Sequence, residues 1–149
     1  MNASEGLIPE VVAEGPLQGW TTWRNIDPFE ARAGPFFHRV GEDGRTTALL
    51  EVGPDHLNAG GFVHGGCLLA FADFCLFAIA MPELGDSMAV TVSLNAEFLD
   101  RVQAGDRVEA SGELLRRARS LGFVQGVARV RGRPVLAFSG VIKLRAPAA

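Results

Sequence analysis

The sequence predicts an α+β domain in which a curved antiparallel β-sheet wraps around one long central helix. From Cys67 to Met81 every residue but one is apolar, and a run that is apolar around its whole circumference forms a buried helix. From Ala89 to Leu99 apolar and polar residues alternate, which is the period of a strand. Short connections join the segments that follow, as antiparallel neighbours require. One sheet packed on one helix accounts for all of these segments.

Length and composition indicate a single globular domain over residues 1–149, with an N-terminal extension (1–35) and a core (about 36–144). The apolar fraction is 48% and the charged fraction 21%, which is ordinary for a globular protein. The apolar run of 15 residues is shorter than the roughly 20 that cross a bilayer, so no membrane association is expected. The first residues lack a basic stretch and an apolar core, and we expect a cytoplasmic protein.

Charge is distributed unevenly along the chain. Residues 1–100 carry 4 basic and 14 acidic side chains, whereas residues 101–149 carry 10 basic and 3 acidic ones. A cationic C-terminal third suggests an anionic ligand, although basic side chains on solvated strands explain it equally well. The overall charge of −3 argues against bulk nucleic-acid binding.

The segments before the helix are predicted from spacing and turn residues. A hairpin is expected over 36–52, with its turn at Glu42-Asp43-Gly44. The glycines, proline and asparagine of residues 53–61 predict a loop without regular structure. A short N-terminal helix is suggested by four large apolar residues spaced three apart, namely Trp20, Trp23, Ile26 and Phe29.

The central helix is predicted to begin near His64 or Gly65 and to stop before Pro82, with Leu84-Gly85-Asp86 beyond it. A meander of four strands follows, over 89–99, 107–116, 121–131 and 135–144. The first of these strands has two predicted faces. One carries Val90, Val92, Leu94, Ala96 and Phe98, and the other carries Thr91, Ser93, Asn95 and Glu97.

Several kinds of chemistry are not indicated by any motif. Cys67 and Cys75 lie eight residues apart on the predicted helix, about 12 Å, which is too far for a disulfide. The histidines show no metal-ligand spacing with them, so no metal and no cofactor are expected. Motifs for phosphate-binding loops, dinucleotide sites and serine nucleophiles are also lacking.

Asp73 is the one charged residue of the apolar helix, and a carboxylate is almost never fully buried without a hydrogen-bond or ion-pair partner. It is a candidate general base or nucleophile, or else a structural aspartate bonded to a strand. Gly65 and Gly66 place unhindered amides at the helix N-terminus, where they form an oxyanion hole or merely permit close packing.

Geometry separates these two groups within one chain. Gly65 and Asp73 are eight residues apart, about 12 Å along a helix, whereas catalytic contacts are near 3 Å. If two such helices lie antiparallel across a two-fold axis, Asp73 of one chain meets the Gly65 amide of the other. A homodimer with two shared sites is therefore predicted.

The stretch 56–73, HLNAGGFVHGGCLLAFAD, resembles the signature of the hotdog-fold acyl-CoA thioesterases. Within the 4-hydroxybenzoyl-CoA thioesterase superfamily it is most similar to the phenylacetate-pathway type. The resemblance extends in segment order from about residue 36 to 144. It implies a hotdog fold, an acyl-CoA substrate and a homodimer that assembles further into a dimer of dimers.

The resemblance also implies roles for the matching residues of the central stretch. The Gly65 amide would polarise the thioester carbonyl, and Gly66 would complete the turn. Asp73 of the facing subunit would attack the thioester or activate water. Asn58 matches a residue that holds the carbonyl or the water, and Thr91 matches a hydroxyl that positions the water.

His64 matches the histidine of the motif, which the resemblance implies is structural and lies beside the substrate. Some family members carry a hydroxyl one turn after the carboxylate, where this chain has Phe77. The water must then be positioned by Thr91 or Asn58. The basic segment between two later strands matches a region that contacts coenzyme A phosphates, although a solvated turn explains it as well. This segment holds Arg116, Arg117, Arg119 and Ser120.

The leading hypothesis is thus a thioesterase that converts an acyl- or aryl-acyl-CoA to the free acid and coenzyme A. The alternative is a hotdog domain that binds acyl-CoA without catalysis, which would not need a carboxylate at residue 73. A hydratase of the same fold would need a histidine paired with an acid, and no such pattern is evident. Acyl specificity is left open.

Overall fold

The computed structural model describes residues 8–85 and 87–145. This part of the chain forms one antiparallel sheet of eight strands with a long helix packed on one face. The helices are α1 (Pro28–Ala33) and α2 (Gly65–Leu84). The strands are β1 (Glu10–Val11), β2 (Thr21–Thr22), β3 (Phe36–Val40), β4 (Thr46–Glu51), β5 (Ala89–Phe98), β6 (Arg107–Arg117), β7 (Leu121–Val130) and β8 (Arg133–Leu144).

The order of strands in the sheet is β1-β2-β3-β4-β6-β7-β8-β5. The hairpin and the strand segments are confirmed, but the prediction that the last four strands follow one another in a meander is wrong. Only β6, β7 and β8 do so, because β5 pairs with β8. Helix α2 carries the chain across the sheet, so that β5 starts at the far edge and β6 returns beside β4. This topology leaves β5 as an edge strand.

Helix α2 begins at Gly65, within the predicted range, but it ends at Leu84 and not before Pro82. A proline in the last turn removes only one amide from the helical hydrogen bonds, and Gly85, with φ of 58°, ends the helix instead. Asp86, predicted to follow the helix, lies outside the described residues.

At 20 residues, α2 has the length and composition of a membrane span, so the argument from a 15-residue run does not hold. Of its most apolar window, 56% is buried inside the domain. The core between α2 and the sheet includes Phe71, Phe74 and Leu76 of the helix. Gly140 of β8 allows this close packing, since an added Cβ would lie 2.4 Å from Leu76 Cδ1. The apolar character of α2 is therefore that of a core helix.

The N-terminal helix predicted from Trp20 to Phe29 is wrong. Trp20 is buried in a small cluster with Phe37 and Leu49, and the chain after it is extended. The helix α1 starts later, where the Asp27 side chain accepts from the amides of Phe29 and Glu30, both at 3.0 Å. Asp27 followed by proline is a strong N-cap signal, and it outweighs the apolar spacing.

The loop before α2 also contains more structure than predicted, since Pro54–His56 forms a 3₁₀ turn. His56 ties this turn to the segment before β3. Its Nδ1 accepts from the Gly53 amide at 2.9 Å, and its Nε2 donates to the Gly34 carbonyl at 2.8 Å. The loop that leads into α2 is therefore held at a fixed position.

Candidate active site

Asp73 lies on the side of α2 that the sheet leaves partly uncovered, beside the edge strand β5. Its Oδ1 accepts a hydrogen bond from the Thr91 hydroxyl at 2.6 Å. Asp73 is half-buried, and Thr91 is exposed. The structure thus brings together two of the predicted site residues, 18 positions apart in the chain.

A β-bulge directs Thr91 toward Asp73. The pairing of β5 with β8 shifts between Thr91 and Ser93, so that Thr91 lies opposite the buried Ile142. A bulge inserts one unpaired residue and reverses the faces of the strand. The prediction of one continuous face from Val90 to Phe98 is therefore wrong: Val90 and Val92 are 43% and 58% exposed, whereas Leu94 and Ala96 are half-buried.

The N-terminus of α2 offers one free amide. The His64 Nδ1 accepts from the Gly66 amide at 2.8 Å and so caps the helix. The Gly65 amide makes no hydrogen bond within the described part of the chain. Of the two predicted amides, the Gly65 amide is available to a ligand and the Gly66 amide is occupied by His64.

Asn58 belongs to the turn that precedes the helix. Its Oδ1 accepts from the amides of Gly60 and Phe62 at 2.8 and 3.2 Å. Its side-chain NH₂ makes no hydrogen bond among the described residues, and the residue is exposed. The turn therefore fixes the side chain while leaving a donor free for a substrate or water.

A shallow depression of about 360 Å³ opens at the Gly65 end of α2. Phe62, Leu68 and Phe98 give it apolar walls, and the guanidinium of Arg101 stacks on Phe62 at 5.0 Å. A larger depression of about 890 Å³ adjoins the other end of the helix and contains neither Asp73 nor Gly65. Proximity to the free amide, and not size, identifies the smaller one as the candidate binding site.

The basic segment lies at the hairpin between β6 and β7. Arg116, Arg119 and Ser120 are exposed. Arg117 is also exposed, but its Nη1 donates to the Glu83 carbonyl at the C-terminus of α2, at 3.0 Å. A cation at this end complements the helix dipole, so Arg117 stabilises α2 whether or not it also binds a ligand.

One carboxyl near Asp73 did not emerge from the sequence. Glu30 of α1 is half-buried, and its Oε2 is fully buried without a partner in the described chain. Burial, followed by the negative charges of Asp27 and Asp73, raises the pKa of Glu30 to about 7. A signal was present, because Asp27 and Glu30 have the spacing of a capping box. This capping-box signal was overlooked because a helix was predicted over Trp20–Phe29.

His38 is a second buried group that the sequence did not single out. It is 5% exposed, packs against the rings of Trp23 and Phe74, and neither ring nitrogen has a partner among the described residues. Burial lowers the pKa of His38 to about 4. It is therefore a neutral core residue at physiological pH. No group of three or more potential metal ligands occurs in residues 8–85 and 87–145.

Comparisons with known proteins identify the family of the chain. Residues 60–137 match the family described as the thioesterase superfamily. The candidate esterase PA0474 of Pseudomonas aeruginosa is 30% identical over 112 residues, which are 74% of this chain and 84% of that protein.

Solved structures share the fold. A mutant of the phenylacetic acid degradation protein PaaI from Thermus thermophilus is 27% identical, with a TM-score of 0.66, covering 80% of this chain and all of that chain. The hypothetical thioesterase protein of Streptococcus pneumoniae, solved with coenzyme A, is 18% identical, with a TM-score of 0.68, covering 76% and 88%.

The family match covers the helix N-terminus, Asp73 and Thr91 together, in a sheet and helix arranged as in the hotdog fold. The chain belongs to the thioesterase superfamily, as a hotdog-fold thioester hydrolase.

Proposed function

We propose that the protein hydrolyses acyl- or aryl-acyl-CoA thioesters to the free acid and coenzyme A, using Asp73 of one subunit and the Gly65 amide of another. The observation that carries the proposal is the 2.6 Å hydrogen bond from Thr91 to Asp73 on the uncovered side of α2. A hydroxyl that donates to the carboxylate holds it in one orientation. An oriented carboxylate is suited to attack a thioester or to activate water.

A second copy of the chain completes the site in this proposal. Gly65 and Asp73 lie on one continuous helix, about 12 Å apart along its axis. The unpaired edge of β5 and the flanking residues expose a set of large apolar side chains, namely Met88, Val90, Val92, Phe98 and Leu99. An exposed apolar edge strand is a template for pairing with another strand. Pairing of two β5 strands about a two-fold axis would set the two α2 helices antiparallel.

In such a dimer, the thioester carbonyl accepts a hydrogen bond from the Gly65 amide of the partner subunit. That amide, at a helix N-terminus, stabilises the negative charge that develops on the oxygen. Asp73 then attacks the carbonyl carbon or takes a proton from an attacking water. The free NH₂ of Asn58 is a second donor for the carbonyl or the water.

Coenzyme A is proposed as the thiol carrier on two grounds. The structure from Streptococcus pneumoniae, which has the same fold, contains coenzyme A. This chain also carries a net positive charge over residues 101–149, with Arg116 and Arg119 exposed at one hairpin. Arginine pairs well with phosphate oxygens. Assembly of two dimers into a tetramer is part of the same proposal.

A panel of short-chain, long-chain and aromatic acyl-CoA esters, assayed by trapping the released thiol, tests the proposal. We expect turnover with at least one class, and loss of it in Asp73→Asn while the dimer persists. Unchanged turnover in Asp73→Asn would remove Asp73 from the mechanism. Tight binding of the esters without any hydrolysis would instead support a non-catalytic acyl-CoA-binding module.

A further inference from the structure

The face of the sheet opposite α2 carries large apolar side chains that pair across strands. Phe123 of β7 lies directly opposite Val141 of β8. Their neighbours along the strands, Val124 and Ile142, are buried in the core beneath α2. Because successive side chains of a strand point to opposite faces, Phe123 and Val141 lie on the outer face, where both are half-buried.

Two β-bulges extend this pair into an apolar row. One bulge inserts Leu115 of β6 beside Phe123, and the other inserts Val92 of β5 beside Val141. A bulge adds one residue without a pairing partner, and both of these added residues are large, apolar and more than half exposed. The apolar row, formed by Leu115, Phe123, Val141 and Val92, therefore crosses the four strands β6, β7, β8 and β5. Contiguous exposed apolar side chains mark an interaction surface.

Charged side chains of opposite sign flank the apolar row on the same face. Lys143 and Arg145 follow Val141 at intervals of two residues, and both are exposed. Glu97, also exposed, lies on the other side of the row, because it pairs with Ala137, four residues before Val141. Residues at even spacing along a strand share a face. The apolar row thus has a basic side and an acidic side.

The acidic side is also concave. The depression of about 890 Å³ is lined on this face by Glu97, Glu113 and Ser139. Arg129, which lines it as well, lies opposite Glu109 on the neighbouring strand. The hollow has room for long basic side chains of another molecule.

We propose that the apolar row joins two dimers of this chain face to face in a tetramer, about a two-fold axis that runs along the row. Such an axis reverses the strand direction and lays the basic side of one copy over the acidic side of the other. Arg145 lies four residues beyond Val141, and the partner of Glu97 in the sheet lies four residues before it. Arg145 therefore reaches the level of Glu97 of the partner subunit. An axis along the strands would place like charges together, which opposes association.

The surface itself indicates that its occupant is a second copy. The apolar row matches itself and the two charged sides match each other under one axis, as a two-fold interface requires. The axis proposed for the pairing of β5 is perpendicular to the sheet, whereas this axis lies in its plane. Two perpendicular two-fold axes close an assembly at four chains. The inference rests on the proposed function for its β5 dimer, and it leaves the Asp73 side of α2 uncovered.

A lysine in the apolar row tests the contact. We expect the wild-type protein to be a tetramer by light scattering, and Leu115→Lys to be a dimer with unchanged circular dichroism. Its tetramer dissociation constant should rise at least about 100-fold, because the introduced charge meets its own copy near the axis. Val40→Lys is the matched control, since Val40 is 48% exposed at the end of β3, and it should remain a tetramer. A tetrameric Leu115→Lys would overturn the proposal.

Charge reversal tests the direction of the axis. We expect Arg145→Glu and Glu97→Arg each to raise the tetramer dissociation constant about 10-fold at low salt. The double variant Arg145→Glu/Glu97→Arg restores opposite charges and should return to within about threefold of the wild type. A double variant that is weaker than either single variant would overturn the axis along the row.

A wild-type protein that stays dimeric at high concentration would overturn the second copy as the occupant. Binding of that dimer to vesicles of phosphatidylglycerol, lost in Leu115→Lys, would assign the surface to an anionic membrane instead. Assembly is measured without substrate. A tetramer that hydrolyses no thioester would therefore overturn the proposed function and support the face-to-face contact.

Discussion

The hydroxyl of Thr91 donates to Asp73 Oδ1 at 2.6 Å, because a bulge in β5 turns Thr91 toward α2. Alternation along the strand would place Thr91 on the opposite face. The bulge therefore places Thr91 in the site, and it interrupts the regular pairing of β5 with β8 at one residue. Bulges of this kind re-aim side chains at functional positions.

Removal of this hydroxyl should slow catalysis without unfolding the protein. We expect Thr91→Val to lower kcat about 10- to 100-fold, because the carboxylate loses the donor that orients it. Thr91→Ser, which keeps the hydroxyl, should retain most of the activity. Equal rates for Thr91→Val and wild type would show that the hydrogen bond does not contribute to turnover.

The Gly65 amide can be deleted by a substitution that suits the helix. Gly65 is the first residue of α2, where proline is well accepted. His64 before it has extended backbone, with φ −62° and ψ 134°, as a residue before proline requires. We expect Gly65→Pro to lower kcat about 10²- to 10³-fold, the usual effect of losing an oxyanion donor. Gly65→Ala keeps the amide, and its Cβ would meet Phe98 at an ordinary 3.4 Å, so it should remain active.

Mixed dimers test whether the site is shared between subunits. A heterodimer of Asp73→Ala and Gly65→Pro chains would contain one site with both groups altered and one site with both intact. Random mixing makes about half of the dimers heterodimers, so the mixture should recover about a quarter of wild-type activity from two inactive parents. No recovery, despite heterodimers shown by mass spectrometry, would contradict a shared site.

The central stretch could be predicted from the sequence because each of its signals is local. An apolar run, a motif histidine and paired glycines define the start of α2, and the structure adds that His64 caps the Gly66 amide. The bulge at Val92 and the pairing of β5 with β8 could not be predicted, since both depend on contacts distant in the chain. Glu30 was missed for a related reason: its pKa is raised by burial and by the charges of Asp27 and Asp73, and Asp73 is 43 positions away in sequence.

The exposed edge of β5 should be required for assembly and for activity. Val92 is 58% exposed on this edge, and lysine on an edge strand opposes strand pairing. We expect Val92→Lys to be a folded monomer with little thioesterase activity, as judged by light scattering, circular dichroism and thiol release. Val11→Lys is the matched control, because Val11 is 61% exposed on β1 at the opposite edge of the sheet. An active Val92→Lys monomer would show that one chain suffices.

Glu30 and His38 should have opposite effects on stability between about pH 4.5 and 6.5. The pKa of Glu30 is raised from 4.5 to about 7 in the folded protein, so its contribution is present at low pH and is lost as the pH rises. The pKa of His38 is lowered from 6.5 to about 4, so its contribution is present above pH 6.5 and is lost as the pH falls.

The pH dependences that Glu30 and His38 give to the free energy of unfolding have opposite signs. In the wild-type protein they offset each other, so this free energy should change little between about pH 4.5 and 6.5. Each slope is at most about 1.4 kcal/mol per pH unit, and the one from half-buried Glu30 is smaller because of solvent screening. Glu30→Gln removes the falling term, so its free energy of unfolding should rise with pH, by roughly 1–2 kcal/mol from pH 4.5 to 6.5. His38→Gln should show the reverse trend. Urea unfolding at fixed protein concentration measures both, and parallel pH dependences for Glu30→Gln and wild type would mean that Glu30 is already ionised in the folded protein.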